Sequence, residues 1–585
     1  MKATQRITIL FLFVAFAIGG GILASCLSLW LLNYEEFTTW VLEAVHKQAW
    51  RPYFEQTVFP PNRFQWARYI ALLFLIFWGL ALYYIYPRLT DFSRFLLEFT
   101  NRSKVFLKRQ YQQFNPLEKR LFCLLMFLFA LRGIVQLYRY ELQYDEAWTY
   151  NHFVSNGFLI AAISPNNNHI LYSLLACISD YLPLEAKYSL RLPVYLGGIA
   201  TSGLFYLLVR NFWGWRWALV GLTWFVFSPG VCFYSLYARA YIFQLFFALL
   251  ALWAGLKICN RANPSNYLWA VWGLAQILGF YAVPTYAYIW LLLNFVLLIH
   301  LLIRKKTFWK AWILTNLIVL GIVALLYFPF IITNGFQTLV NIASHKAPQG
   351  EIFIHYQDKV ADWLLLGAGR LTPVYWFLVS ITLGLIAVRL KNQQPQANPL
   401  IEITCLFLLF PSILNLTLGT QPPYRVWCFL SIFIGIALPC LATQWFPKPQ
   451  NTFAILLVAL SIGSFNIWRT EVHYAIRWSA DLDRNAKEIA QLMLAKNIQT
   501  CYLFSNYDKP LLECYYLRAQ QRLQTYMAAK DSKHYAPFVH APLYQSVLWD
   551  KEDRVSTLEE KQWLDRHYPV IIYSDQRVEL RQALK

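Results

Sequence analysis

A chain of 585 residues with 58% apolar, 18% aromatic and only 14% charged side chains lies well below the roughly 25% charge of a soluble domain, so water does not solvate most of it. The formal charge of +20 would suit a nucleic acid, yet the residues from 470 onward carry a net +1, and the other +19 sits in the apolar first 469, largely in short loops. Basic loops of that kind are held on the cytoplasmic side of a membrane, and nucleic-acid binding is excluded as the reading of the charge.

Apolar runs long enough to cross a hydrocarbon core of roughly 30 Å recur along the chain. They predict about 13 spans, at 7–32, 67–86, 121–138, 188–209, 217–230, 240–256, 267–283, 286–303, 311–331, 371–389, 400–418, 425–446 and 451–469. The first follows Lys2 and Arg6 and continues past the lipoprotein-like Leu23-Ala24-Ser25-Cys26 to Leu32. A cleaved signal has an apolar stretch of only about 7–15 residues, so an uncleaved first span is expected. Pro284 divides the apolar stretch 267–303 at a tight reversal.

With a cytoplasmic N-terminus, the inside segments are the N-terminus itself, 87–120, 210–216, 257–266, 304–310, 389–399 and 447–450, and each carries at least one Lys or Arg. The rule that weighs basic residues near span ends therefore supports this parity. The loops at 33–66, 139–187, 231–239, 332–370 and 419–425, and the whole C-terminus, then face outward. Within 139–187, the apolar stretch His169–Ile178 is too short to span and reads as an interfacial segment.

From 470 onward the pattern changes. Leu482, Ala486, Ile489 and Met493 recur at helical spacing, Cys501–Phe504 and Val570–Tyr573 read as short buried strands, and a helix is expected at 509–519 between them. Together they predict a small α/β domain. Three segments follow: two spans and a basic loop over 1–118, a membrane core over 119–469 with an outer loop at 139–187, and the terminal domain over 470–585. None of the ten cysteines forms a CxxC motif; Cys501 and Cys514 are a candidate disulfide if their domain faces an oxidising compartment.

The sharpest chemical feature is Tyr144-Asp145-Glu146-Ala147-Trp148, immediately outside the span at 121–138. Two adjacent carboxylates at a membrane surface suit a general base and a partner that orients it or binds a cation. They equally suit solvated loop acids or a helix start, where carboxylates are favoured. Downstream come Asn168-His169-Ile170-Leu171-Tyr172, Arg191-Leu192-Pro193 before Gly197-Gly198, Ser228-Pro229, and Tyr237-Ala238-Arg239-Ala240-Tyr241 opening another span. A late turn, Gln421-Pro422-Pro423-Tyr424-Arg425, opens the span at 425–446.

This order, with every motif on one face, resembles the GT-C superfamily of polyprenyl-phosphate-sugar transferases, particularly protein O-mannosyltransferases and the aminoarabinose transferases that modify lipid A. The resemblance covers roughly 120–430; the chain departs from it at His169-Ile170-Leu171, where many relatives have His-Pro-Pro, and in its two extra spans at the start. It implies a polytopic α-helical core with Asp145 as the base that deprotonates an acceptor hydroxyl. Glu146 would support it by orientation or, in metal-using members, by holding a divalent ion with Asp145. Arg239 and Arg425 would bind the polyprenyl phosphate, the planar guanidinium being matched to phosphate, with Tyr241, Tyr424 and His169 as further substrate contacts. As interfacial side chains, the same arginines would instead contact lipid headgroups.

Direct attack at the anomeric carbon would invert configuration. The implied partners are a polyprenyl-phosphate-linked sugar, membrane lipid, and an acceptor that is a lipid, a glycan or a protein. The implied location is a bacterial plasma membrane with the site and the terminal domain outside. Weaker candidates are His345 and Lys346 in the loop 332–370, Arg132 near the end of its span, and Arg191 as an anchor between the interfacial helix and its span. The alternatives are a carrier or flippase that holds lipid-linked saccharide without chemistry, and an assembly protein whose terminal domain recruits partners. A transporter more often shows matched repeats or charges near the midplane, neither of which is visible here.

Overall fold

A computed structural model describes residues 26–44, 51–85, 89–163, 168–304, 308–334, 373–391, 398–418, 424–445, 453–454, 457–458, 460–461, 483–503, 508–527, 544–550, 558–574 and 578–583. Among them, six helices are long and apolar enough to cross a membrane: Pro116–Arg139, Ala186–Phe227, Tyr241–Asn260, Pro284–Ile303, Trp309–Tyr327 and Val426–Gln444. The chain is thus an integral membrane protein with several apolar spans. The expected spans at 7–32 and 451–469 fall largely outside the described residues. Further helices occupy 61–85, 266–282, 373–391 and 398–418, where further spans are expected.

The 42-residue element Ala186–Phe227 is two arms rather than one rod. Gly214 sits at φ 78°, ψ 170°, a region open to glycine and closed to most other residues, and the break separates the two apolar runs expected at 188–209 and 217–230. Pro284 opens a 3-10 turn, Pro284–Tyr286, between the helices Asn266–Ala282 and Ala287–Arg304, as its missing N–H favours. Val426–Gln444 lies deep in the bundle, whereas Trp309–Tyr327 turns most of its surface outward. Leu314, Leu317 and Ile318 are exposed there, as expected of a lipid-facing helix.

Two Trp–Asn pairs link helices inside the bundle. Trp290 Nε1 donates to Asn316 Oδ1 at 3.1 Å and Trp312 Nε1 donates to Asn294 Oδ1 at 2.9 Å. This reciprocal staple joins two neighbouring spans where apolar surface gives little drive for association.

The terminal domain is a five-stranded mixed sheet of β1 (Thr500–Leu503), β2 (Gln524–Met527), β3 (Ser546–Asp550), β4 (Val570–Ser574) and β5 (Val578–Gln582), in the order β2-β1-β3-β5-β4. β1 pairs in parallel with β2 and β3, while β5 is antiparallel to both β3 and β4. Helix Asp483–Ala495 buries Ala486, Ile489 and Met493, three of the four positions picked out by periodicity. Helix Asp508–Arg518 follows β1. Cys501 and Cys514 are both buried, and the candidate disulfide between them is not formed.

Between the spans Pro116–Arg139 and Ala186–Phe227, three short helices lie at one end of the bundle: Tyr144–His152, Gly157–Ile163 and Ile170–Asp180. The terminal domain docks directly on the first and third of them. Asn151 Nδ2 donates to the Pro510 carbonyl at 2.8 Å within a buried contact. Arg518 donates to Asp180 Oδ1 and to the Leu184 carbonyl, each at 2.5 Å. Burial, and after it the Asp180 charge, pushes the Tyr150 phenol beside Arg518 up to about 12.

Candidate active site

Gln143 is the N-cap of Tyr144–His152, so Asp145 and Glu146 occupy the second and third helical positions. Consecutive residues of an α-helix point roughly 100° apart, and here that angle sends the two carboxylates into different surroundings.

Glu146 turns inward and is fully buried. Its Oε1 accepts from Arg191 Nε at 2.8 Å and from the Ala238 N–H at 2.8 Å. Its Oε2 accepts from Arg191 Nη2 at 2.5 Å and from the Gln143 N–H at 2.8 Å. A carboxylate offers about four lone-pair sites, and all of them are used. Arg191 also donates to the Tyr140 carbonyl at 2.7 Å and the Glu141 carbonyl at 2.6 Å. One buried ion pair thus ties together the end of the Pro116–Arg139 span, the carboxylate helix, the long helix and the 235–240 turn.

Asp145 turns toward solvent. Its side chain is 23% exposed, and its Oδ2 lies 3.1 Å from Nη2 of Arg239, a guanidinium that is only 1% exposed. The Tyr237 hydroxyl donates to the same oxygen at 2.9 Å. Burial, and next the Asp145 charge, raises the Tyr237 phenol well above its ordinary value and keeps it a proton donor. Arg239 Nη1 also approaches Thr149 Oγ1 at 3.4 Å, one turn beyond Asp145. Next to Asp145 on the same helix, Tyr144, Trp148 and His152 form a half-buried stacked column, the last two rings 3.8 Å apart.

The 235–240 turn reaches this position because the facing helix offers no side chain at the contact. A Cβ on Gly198 would lie 2.6 Å from Ser235 Cβ, and one on Gly197 would lie 2.8 Å from the Phe243 ring. The Gly197-Gly198 pair therefore sets how closely Tyr237 and Arg239 approach the carboxylates.

His169 caps Ile170–Asp180 and its ring meets Tyr241 edge to face at 5.0 Å, with Tyr241 in turn 4.7 Å from Tyr234. Both predicted contacts are buried. Tyr424 and Arg425 open a 3-10 turn, Tyr424–Phe429, whose Cys428 Sγ donates to Gln244 Oε1 at 3.6 Å, about one turn inside the Tyr241 span. The side chains of Tyr424 and Arg425, and all of His345 and Lys346, lie outside the described residues. Arg132 is buried within its span.

A divalent ion does not fit the acidic pair: Glu146 has no acceptor site left, and Asp145 already faces a guanidinium. Among the described residues, no group of three or more His, Cys, Asp and Glu side chains could hold a metal. Sequence reading understated Arg191 as an anchor and passed over Tyr237 and Thr149. Tyr237 stands two residues before Arg239 in the quoted motif, and only its contact with Asp145 distinguishes it from the surrounding aromatics.

No protein-family model matches the sequence, and no curated protein matches it. Among solved structures, the chain superimposes on ArnT from Cupriavidus metallidurans in the apo state with a TM-score of 0.54 and 11% identity, over 78% of this chain and 97% of ArnT. The chain has the ArnT fold. ArnT in its structure bound to undecaprenyl phosphate matches with the same TM-score and coverage at 12% identity. The likeness is one of fold, spanning almost all of ArnT, and it agrees with the GT-C resemblance drawn from the motifs.

Proposed function

We propose that the protein is a glycosyltransferase that moves a sugar from a polyprenyl-phosphate carrier to an acceptor at the site end of the bundle, with Asp145 as general base. The observation that carries this reading is the 3.1 Å pairing of the half-buried Asp145 with the buried Arg239. One carboxylate of the pair is spent on structure; the other remains reachable, beside a cation suited to phosphate.

In this reaction Asp145 takes the proton of the acceptor hydroxyl as that oxygen attacks the anomeric carbon, and the bond from that carbon to the phosphate oxygen breaks. Attack opposite the leaving group inverts configuration. Asp145 becomes neutral while the departing polyprenyl phosphate gains negative charge. Arg239, ion-paired with Asp145 beforehand, then shifts its charge pairing to the phosphate, so one buried cation serves both states. Tyr237 holds Asp145 in place by its hydrogen bond, and Glu146 acts through orientation rather than through a metal. Arg425, Tyr424, Tyr241 and His169 complete the substrate surroundings. The basic segments support a cytoplasmic N-terminus with the site and terminal domain outside, and the proposed location is a bacterial plasma membrane.

The test is sugar transfer in cells, comparing wild type with Asp145→Asn and Arg239→Ala at matched membrane expression, read by mass spectrometry of carrier lipids and of envelope lipids, glycans and proteins. The expected result is loss of one sugar mass from one acceptor in both variants, with accumulation of the loaded carrier. If Asp145→Asn transfers like wild type, the base assignment fails and a carrier without chemistry is the better reading.

A further inference from the structure

The helix Leu89–Gln112 has no part in the proposed reaction. It carries five basic residues, Arg94, Arg102, Lys104, Lys108 and Arg109, against the acidic Asp91 and Glu98. At 24 residues it is about 36 Å long. Positions 92, 95, 96, 99, 103, 106, 107 and 110 recur at spacings of three and four, placing four phenylalanines and two leucines on one helical face. Arg94, Lys104, Lys108 and Arg109 map to the other. Lys104, Lys108 and Arg109 are exposed.

Three anchor points fix where this helix lies. It begins four residues after the helix Pro61–Ile85 and ends at the Asn115 cap of Pro116–Arg139. Midway, the Ser103 hydroxyl is 3.0 Å from that of Tyr267. Tyr267 is in the first turn of Asn266–Ala282, and the preceding helix, Tyr241–Asn260, begins two residues after Arg239 and runs about 30 Å away from it. The basic helix therefore crosses the bundle end opposite the site, at the level where the spans leave the bilayer. Ser103, which belongs to the apolar face of the sequence pattern, meets the bundle at this level.

We propose that Leu89–Gln112 lies in the lipid–water interface at this end and retains anionic phospholipid through Lys104, Lys108 and Arg109. An amphipathic helix with a basic polar face binds an interface by its buried apolar area together with attraction to anionic headgroups. Anionic lipid is favoured over an acidic protein because both ends and the middle of the helix are tied to the plane that lipid occupies.

The test uses the full-length protein in detergent micelles mixed with equal amounts of phosphatidylglycerol and phosphatidylcholine, with retained lipid counted by native mass spectrometry. Wild type is expected to prefer phosphatidylglycerol, and the Lys104→Gln/Lys108→Gln/Arg109→Gln protein to lose that preference by roughly tenfold or more. Lys104→Arg/Lys108→Arg is expected to keep it, as is Lys487→Gln/Lys496→Gln in the terminal domain. Raising salt from about 0.05 to about 0.5 M should weaken the wild-type preference, a readout that needs no variant to fold. An unchanged preference in the triple variant, an equal loss in the arginine variant, or a salt-insensitive wild type would overturn the proposal. Lipid retention is measured apart from sugar transfer, so failure here leaves the transferase reading untouched.

Discussion

The two ends of the Pro116–Arg139 span share one part, a buried glutamate clamped by an arginine, and differ at the residue before it. At the end opposite the site, Glu118 is the third residue of its helix, closes a capping box with Asn115 and is fully buried. It accepts hydrogen bonds from Arg210 Nε and from the Tyr206 hydroxyl, the latter at 2.8 Å. At the site end, Glu146 is likewise the third residue of a helix, accepts from the N–H of its N-cap and is held by Arg191. Arg191 and Arg210 both belong to the first arm of Ala186–Phe227, so one helix clamps a glutamate at each end. The difference lies at the second helical position, where one end has the exposed Leu117 and the other has Asp145 against Arg239 and Tyr237. A buried Glu–Arg pair is therefore a structural joint in this protein, and the proposed chemistry belongs to the additional carboxylate that the joint leaves over.

That comparison can be broken most directly at the joints. Glu146→Gln leaves Arg191 with an uncompensated buried charge, and loss of one partner of such a pair costs about 3–5 kcal/mol. The expected outcome is a markedly lowered melting temperature in detergent together with loss of transfer. Glu118→Gln should cost stability on the same scale while transfer per folded molecule stays within about twofold of wild type. If both variants abolish transfer to the same degree in the folded fraction, the two ends are not functionally different and the comparison fails.

Smaller effects sharpen it. Tyr237→Phe removes one hydrogen bond to Asp145, worth about 0.5–1.5 kcal/mol; transfer should fall roughly threefold to tenfold with little change in melting temperature. The opposite balance, a large stability loss with normal transfer, would make Tyr237 part of the scaffold. Asn151→Ala deletes the buried bond to Pro510 and should loosen the terminal domain from the carboxylate helix by about 1–2 kcal/mol, visible as faster hydrogen exchange in Asp508–Arg518. Smallest of all, Lys487→Ala breaks a largely exposed pair with Glu185 and is expected to change stability by less than about 1 kcal/mol.

Much of the architecture was legible because it depends on local pattern. Apolar runs marked the helices now seen at 116–139, 241–260 and 309–334, and the spacing of Ala486, Ile489 and Met493 marked the buried face of a terminal-domain helix. β2, β3 and β5 escaped notice, as four- or five-residue strands have little room for a periodic signal and gain their identity from pairing. In the sequence the basic helix Leu89–Gln112 reads as a charged loop, because seven charged residues are spread through its apolar spacing.

The sequence by itself determined that the chain enters a membrane, which segments are apolar enough to do so, and that two adjacent acids stand just beyond a span. Hydrophobicity and adjacency are properties of neighbouring residues, so they survive without a fold. Which acid turns inward was decided only in three dimensions. Arg191, Ala238 and Arg239 are 45, 92 and 94 positions away from the acids they meet, and the 100° step between Asp145 and Glu146 acquires meaning only once packing fixes which side of the helix is the core.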